Sequence, residues 1–305
     1  MSRQFISINE TSHADLARIY ELALAPVSGD ELAGVGVSLV FERPSLRTRA
    51  SSISSVQRLG GNVAVFTQDE IGLDYRESAE DVARTLGQTS SIIAARVKNH
   101  GVFARMIAVS PETSFINLLS NETHPTQAVA DVLTLAGHFG GGDLSSLRGV
   151  TVAYVGDATN VTRSLATALI GLGAHVVVGA PAGYQLDEDA VALIASRSQL
   201  GGTIRLADSA FDAVIGAQAI YTDSWISMGM EAEATQRRLD LADFQVNASL
   251  VAAADNPVIL HCLPAHRGEE ITDEVLDSEN SLIWEEVRHR TSAMLGVLRW
   301  MKESQ

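Results

Sequence analysis

The sequence predicts an α/β protein of two parallel-sheet domains with an interdomain cleft, and three observations lead there. Short apolar runs, GVSLVF (36–41), NVAVF (62–66), SIIAA (91–95) and RMIAV (105–109), alternate with segments of helical periodicity. A stretch rich in turn formers, GHFGGGDLSSLRG (137–149), interrupts this rhythm. It restarts with VTVAYVG (150–156), HVVVGA (175–180), AIYT (219–222) and PVILHC (257–262). Finally, 305 residues exceed what one hydrophobic core organises comfortably and suit two domains of ordinary size. The boundary is expected near 137–149, giving domains 1–140 and 141–284, with a closing helix over about 285–302 packing back on the first.

Composition narrows the function classes. With 46% hydrophobic and 19% charged residues the chain lies in the globular range. No segment approaches the ~18 apolar residues that span a bilayer, and the opening MSRQFISINETSHADLARIYELALA is too polar for a signal peptide, so a cytoplasmic protein without membrane contact is expected. A single cysteine, Cys262, excludes an intrachain disulfide. The net charge of −15 and the lack of any Lys/Arg run argue against nucleic acid as a partner. A small anion remains compatible, because a few arginines in a cleft outweigh a diffuse negative surface at short range.

The segment HADLARIYELALA (13–25), preceded by Ser/Thr, reads as a capped amphipathic helix, and EEVRHRTSAMLGVLRWM (285–301) as a long closing one. After the run GVSLVF, Pro44 and Ser45 suit a helix start and Gly60–Gly61 its stop. A helix beginning there offers unpaired N–H groups and a favourable dipole to an anion, so Ser45, the amide of Leu46, Arg47, Thr48 and Arg49 can surround a phosphate. Taken alone, the string favours a capped helix with solvated arginines over a phosphate site. The turn after 150–155 opens like a dinucleotide fold, but the G-x-G-x-x-G spacing is absent, which argues against a nicotinamide cofactor.

Four motifs occur in a telling order: S-L-R-T-R (45–49), H-P-T-Q (124–127), D-S-W-I-S-M-G (223–229) and H-C-L-P-A-H-R-G-E-E (261–270). Over nearly its whole length the chain resembles the aspartate/ornithine carbamoyltransferase family. The first two motifs resemble that family's shared carbamoyl phosphate site, and SMG followed by HCLP resembles its ornithine-specific branch. The resemblance implies the family's fold and transfer of the carbamoyl group of carbamoyl phosphate to the δ-amine of L-ornithine, giving L-citrulline and phosphate in arginine biosynthesis. It also implies a homotrimer. Putrescine, lysine or an N-acylated ornithine are alternative acceptors, and a silent ligand-binding member is an alternative of another class.

Roles follow from the resemblance. Ser45, Leu46, Arg47, Thr48 and Arg290 are expected at the phosphate, and Arg96, His124 and Thr48 at the carbonyl oxygen, where negative charge develops on attack. Gln127, three residues after His124 on one helix face, is expected to accept from the carbamoyl NH₂. Cys262 and the backbone of Leu263 are expected near the carbamoyl group and the δ-amine. Asn160 is expected at the amino acid's carboxylate, where an asparagine also suits a helix cap. Asp223 is expected at the α-ammonium, with Ser227 and Met228 on a loop that closes over the substrate. Arg267, Glu269 and Glu270 are expected to knit the last loop together by ion pairs. No His/Cys/Asp cluster shows ligand spacing, and no metal or organic cofactor is expected. One position departs from the pattern: Gly72 stands where the family usually has a glutamine contact to the donor, with Arg76 or Tyr75 as replacements.

Overall fold

The computed structural model describes residues 2–226 and 230–303. The chain forms two compact units, Met1–Ala130 with Arg288–Gln305, and Asp131–Val287.

The first unit carries five parallel strands, β1 (Gln4–Phe5), β2 (Gly36–Phe41), β3 (Asn62–Thr67), β4 (Ile92–Arg96) and β5 (Ser114–Leu119), in the order β1-β5-β4-β2-β3. Val37, Leu39 and Val40 of β2 and Ile92 to Ala95 of β4 are buried, which is why both read as continuous apolar runs. One expectation fails. The run 105–109 belongs to helix Val102–Val109, whose Val102, Phe103 and Met106 fall on a single buried face. Short apolar runs do not distinguish strand from helix. The strand that follows, β5, is masked by the polar residues Ser114 and Asn117, both buried; Asn117 Nδ2 donates to the Ile6 carbonyl at 3.0 Å.

The second unit repeats the architecture with β6 (Thr151–Val155), β7 (His175–Gly179), β8 (Thr203–Ala207), β9 (Ala219–Thr222) and β10 (Val258–His261), ordered β10-β9-β6-β7-β8 and again parallel. Edge strand β8 was hidden in the sequence because it is largely exposed and lacks an apolar run. In both sheets the order reverses once: β3 lies on one side of β2 and β4 on the other, and β7 and β9 flank β6 in the same way. Such reversals open crevices at the carboxyl ends of strands, where ligands bind in open α/β sheets.

Local chemistry sets the helix boundaries. Ser12 caps His13–Leu24 by accepting from the Asp15 N–H, and Ser45 caps Leu46–Arg58 by accepting from the Thr48 N–H. The last helix, Ile283–Lys302, passes from the second unit into the first at residue 288. Among the described residues no helix is long and apolar enough to cross a membrane. Buried Arg299 fastens the helix end, donating to the carbonyls of Leu22 (2.6 Å), Ala25 (3.0 Å) and Pro26 (2.5 Å) and to Glu31 Oε1 (2.6 Å). Burial acts to raise the Glu31 pKa, but the Arg299 bond and the Ser28 and Gly29 amides outweigh it and hold the carboxyl at about 2. Arg299 is buried but Glu31 is half-buried, and removing the charged donor costs about 1.5–3 kcal/mol. Arg299→Ala is therefore expected to lower stability by that order in urea unfolding. The deficit is expected to shrink as pH falls from about 4.5 towards about 2, because wild-type Glu31 then loses its ionised advantage. A deficit unchanged across that range contradicts the assignment.

Candidate active site

In the first unit the residues at the carboxyl ends of β2, β4 and β5 converge. Phe41 pairs with Arg96 in the ladder, and the Glu42 N–H donates to the Arg96 carbonyl at 2.9 Å. A register irregularity between Ala95 and Arg96 breaks the regular β4–β5 ladder where the strand meets the site, as bulges often do. Helix Leu46–Arg58 follows β2 after four intervening residues, placing the first-turn N–H groups, Arg47 and Thr48 at this edge. Leu46 projects its side chain into solvent, 78% exposed, so only its amide is suited to bind an anion. Thr48 is buried, and Arg290, 242 residues away in sequence, donates from Nη2 to its Oγ1 at 2.7 Å. A small pocket beside that bond is lined by Thr48, Ser52, Leu118, Thr126, Arg290 and Met294, among others.

His124 precedes helix Pro125–Gly140, and its carbonyl accepts from the N–H groups of Gln127 (3.1 Å) and Ala128 (3.2 Å). It is 4% exposed. Burial, then the guanidinium groups of Arg290 and Arg96, push its pKa well below the usual imidazole value, so the ring is neutral. Gln127 is fully buried one turn on. The turn before His124 is held by Ser120 N–H to the Thr123 carbonyl (2.9 Å) and Asn117 Nδ2 to Thr123 Oγ1 (2.9 Å), positioning groups with no sequence signal.

Gly72 ends helix Gln68–Ile71 with φ of 65°, and its carbonyl accepts from the N–H groups of Tyr75, Arg76 and Glu77. A Cβ here would lie 2.6 Å from Arg76 Cβ, so both conformation and space require glycine. Arg76 turns back to the Glu70 carbonyl, and Tyr75 is 93% exposed. Asp74 and Glu80 both bind Arg105, at 2.7 and 2.5 Å, fixing the segment to helix Val102–Val109.

The second unit places its candidates at the ends of β6, β9 and β10. After β6, Gly156 has φ of 120°, and a Cβ there would lie 3.2 Å from Trp225 Nε1. Asp157 follows, paired with buried Arg237, which also donates to the Trp225 carbonyl and stacks over Tyr184 with 5.0 Å to the ring centroid. Burial pushes Asp157 up to about 6 against the pull of Arg237. Helix Asn160–Gly171 is capped by Thr159 rather than by Asn160, whose Oδ1 takes the Val161 N–H at 3.1 Å. After β9, Asp223 Oδ1 accepts from the Ser224 N–H (2.7 Å) and from Cys262 Sγ (3.0 Å) at the end of β10. Burial, then Asp223 and Glu286, raise the Cys262 pKa well above the ordinary thiol value, so the group is a thiol and not a thiolate. Ser227 and Met228 lie outside the described residues.

Leu263 has φ of 58° in a cis Leu263–Pro264 peptide, a left-handed conformation uncommon for a branched side chain. Its N–H donates to His261 Nδ1 at 2.8 Å. That assigns the other proton to Nε2, which donates to Glu270 Oε1 at 3.0 Å. His261 and Glu270 are both fully buried, and no motif spacing announced this pairing. Arg267 binds Asp273 and Asp277, and Glu269 binds Arg238 at 3.0 Å. Among the described residues the fold also assembles two groups of donor atoms that spacing did not reveal, Asp223–His261–Cys262 and His266–Glu269–Glu270.

Models of the aspartate/ornithine carbamoyltransferase carbamoyl-P binding domain and Asp/Orn binding domain match residues 3–137 and 148–301. The chain belongs to the aspartate/ornithine carbamoyltransferase family. A protein from Symbiobacterium thermophilum named ornithine carbamoyltransferase is 37% identical over 97% of this chain and 96% of its own length. One from Pyrococcus furiosus, named ornithine carbamoyltransferase, anabolic, is 40% identical over 88% and 84%. The solved structure of ornithine carbamoyltransferase from Pyrococcus furiosus matches with a TM-score of 0.91 at 36% identity, covering 97% and 96% of the two chains.

Within this carbamoyltransferase fold the Cys262–Asp223 contact yields a direct test. Asp223→Asn removes a negative neighbour and weakens the acceptor that stabilises the neutral thiol. The Cys262 pKa is expected to fall, read as thiolate absorbance appearing at lower pH than in the wild type. An unmoved or higher titration contradicts the electrostatic account.

Proposed function

We propose that this chain transfers the carbamoyl group of carbamoyl phosphate to the δ-amine of L-ornithine, releasing L-citrulline and phosphate. The observation that carries the reading is the contrast between the two sets of candidate residues. The first unit supplies Arg96 and Arg290 acting on a neutral His124, an environment for an anion. The second supplies Asp223 beside a thiol that Asp131 and Glu286 also hold neutral, an environment for an ammonium group.

In this reading residues 1–140 with the closing helix bind the donor and residues 141–284 the acceptor. Carbamoyl phosphate binds first, its phosphate on Ser45, the Leu46 amide, Arg47, Thr48 and Arg290. Arg96, Thr48 and the N–H of neutral His124 donate to its carbonyl oxygen, and Gln127 accepts from its NH₂. The α-ammonium of ornithine pairs with Asp223 and its carboxylate with Asn160, while Ser227 and Met228 cover it. The Cys262 thiol and Asp223 select the deprotonated δ-amine. Its lone pair attacks the carbonyl carbon, and the oxyanion is stabilised where the three donors meet. Collapse breaks the carbon–oxygen bond to phosphate, and the departing phosphate takes the amine proton. A cytoplasmic homotrimer working in arginine synthesis completes the proposal, the direction being supported by the relative named anabolic.

The purified protein is expected to form citrulline from carbamoyl phosphate and ornithine, faster than it carbamoylates putrescine, lysine or N-acetylornithine; no citrulline at saturating substrates refutes the assignment. Arg47→Ala removes a charged hydrogen-bond donor worth about 1.5–3 kcal/mol, so kcat/KM for carbamoyl phosphate is expected to drop by about 10–100-fold. An unchanged value misplaces the phosphate site. His124→Asn is expected to lower kcat by about 10²–10³-fold. Because His124 is neutral well below pH 6.5, no acid limb of kcat/KM near that pH is expected to come from it, and one that disappears in His124→Asn overturns the neutral-imidazole role.

A further inference from the structure

We infer that His266, Glu269 and Glu270 form a binding site for a divalent transition-metal ion of the zinc type. Their donor atoms lie within 4.8 Å of one another, and Glu270 is completely buried. The bonding of the two carboxylates is one-sided. Glu270 Oε1 accepts from His261 Nε2 (3.0 Å) and from the His266 backbone N–H (2.5 Å), while Glu269 Oε1 faces Arg238 at 3.0 Å. The second oxygen of each carboxylate and Nδ1 of His266 are enclosed and have no hydrogen-bond partner among the described residues. His266 Nδ1 is 3.8 Å from Glu270 Oε2, too far for a hydrogen bond.

The side chains of His266 and Glu269 are 41% and 26% exposed, but these three atoms are shielded from solvent without a partner, which is costly, and a cation resolves the cost. Ligands roughly 2.1 Å from a tetrahedral zinc stand roughly 3.4 Å apart, within a small side-chain adjustment of the observed separation. One imidazole with two carboxylates suits zinc, cobalt or manganese rather than calcium, which prefers an all-oxygen shell. The other donor group is already engaged, since Cys262 Sγ donates to Asp223 and His261 Nδ1 accepts from Leu263. An ion on Glu270 would steady the bond from Glu270 through His261 to the Leu263 amide, stiffening the segment after Cys262. The binding site stands independently of the carbamoyl transfer reading.

The test titrates chelator-stripped protein with Zn²⁺ by calorimetry and with Co²⁺ by visible absorption, for the wild type, His266→Ala, Glu269→Gln and Cys262→Ser, each checked for folding by circular dichroism. One ion per chain is expected in the wild type and in Cys262→Ser, with no thiolate-to-cobalt charge-transfer band. Affinity is expected to fall by more than about tenfold in Glu269→Gln and in His266→Ala. Glu269→Gln decides alone if the histidine variant does not fold. Absence of binding by the wild type, binding unaffected by Glu269→Gln, or binding lost in Cys262→Ser overturns the inference.

Discussion

A parallel sheet obliges the chain to return to the same end before each new strand, so every connection crosses a face and the strand order has to reverse somewhere if both flanks are filled. Both units obey this constraint with the same reversal, around β2 in one and β6 in the other. Most of the candidate site residues among those described sit at or just after the strand ends around these reversals. Thr48 follows β2, Arg96 closes β4 and His124 follows β5; Asp157 follows β6, Asp223 follows β9 and Cys262 follows β10. Within each unit, side chains far apart in sequence come together because the sheet gathers those ends, whereas Arg290 arrives on a helix that begins in the other unit.

The two units use burial with opposite surrounding charge to reach the same result, an uncharged hydrogen-bonding group. Arginines suppress protonation of His124, and carboxylates suppress ionisation of Cys262. A neutral imidazole and a neutral thiol both donate a hydrogen bond without adding charge of their own. The fixed charges around them differ in sign, an environment suited to an anion in one case and to a cation in the other.

Much of this was legible in the sequence, for identifiable reasons. Central strands such as GVSLVF and VTVAYV are buried on both faces, and so they show as unbroken apolar runs, while Ser12 and Ser45 announce helix starts because a cap needs a short polar side chain. What stayed hidden depends on tertiary context. The exposed edge strand β8 has no reason to be apolar, β5 carries a buried Asn117 that pays its way through a bond to Ile6, and 105–109 has the composition of a strand but the neighbours of a helix. The Asp157–Arg237 pair and the Glu270–His261–Leu263 chain of bonds join residues whose spacing has no meaning until the loops are folded.

Gly72 shows how a local turn constrains what a single substitution can do. Its left-handed backbone closes the turn through three amides, and the space beside its Cα is filled by Arg76. A glutamine placed at this position would meet both an unfavourable dihedral and a collision with Arg76. A longer side chain at residue 72 therefore requires residue 76 and the turn to change with it. What residue 72 can carry is thus set by the sterics of a single bend.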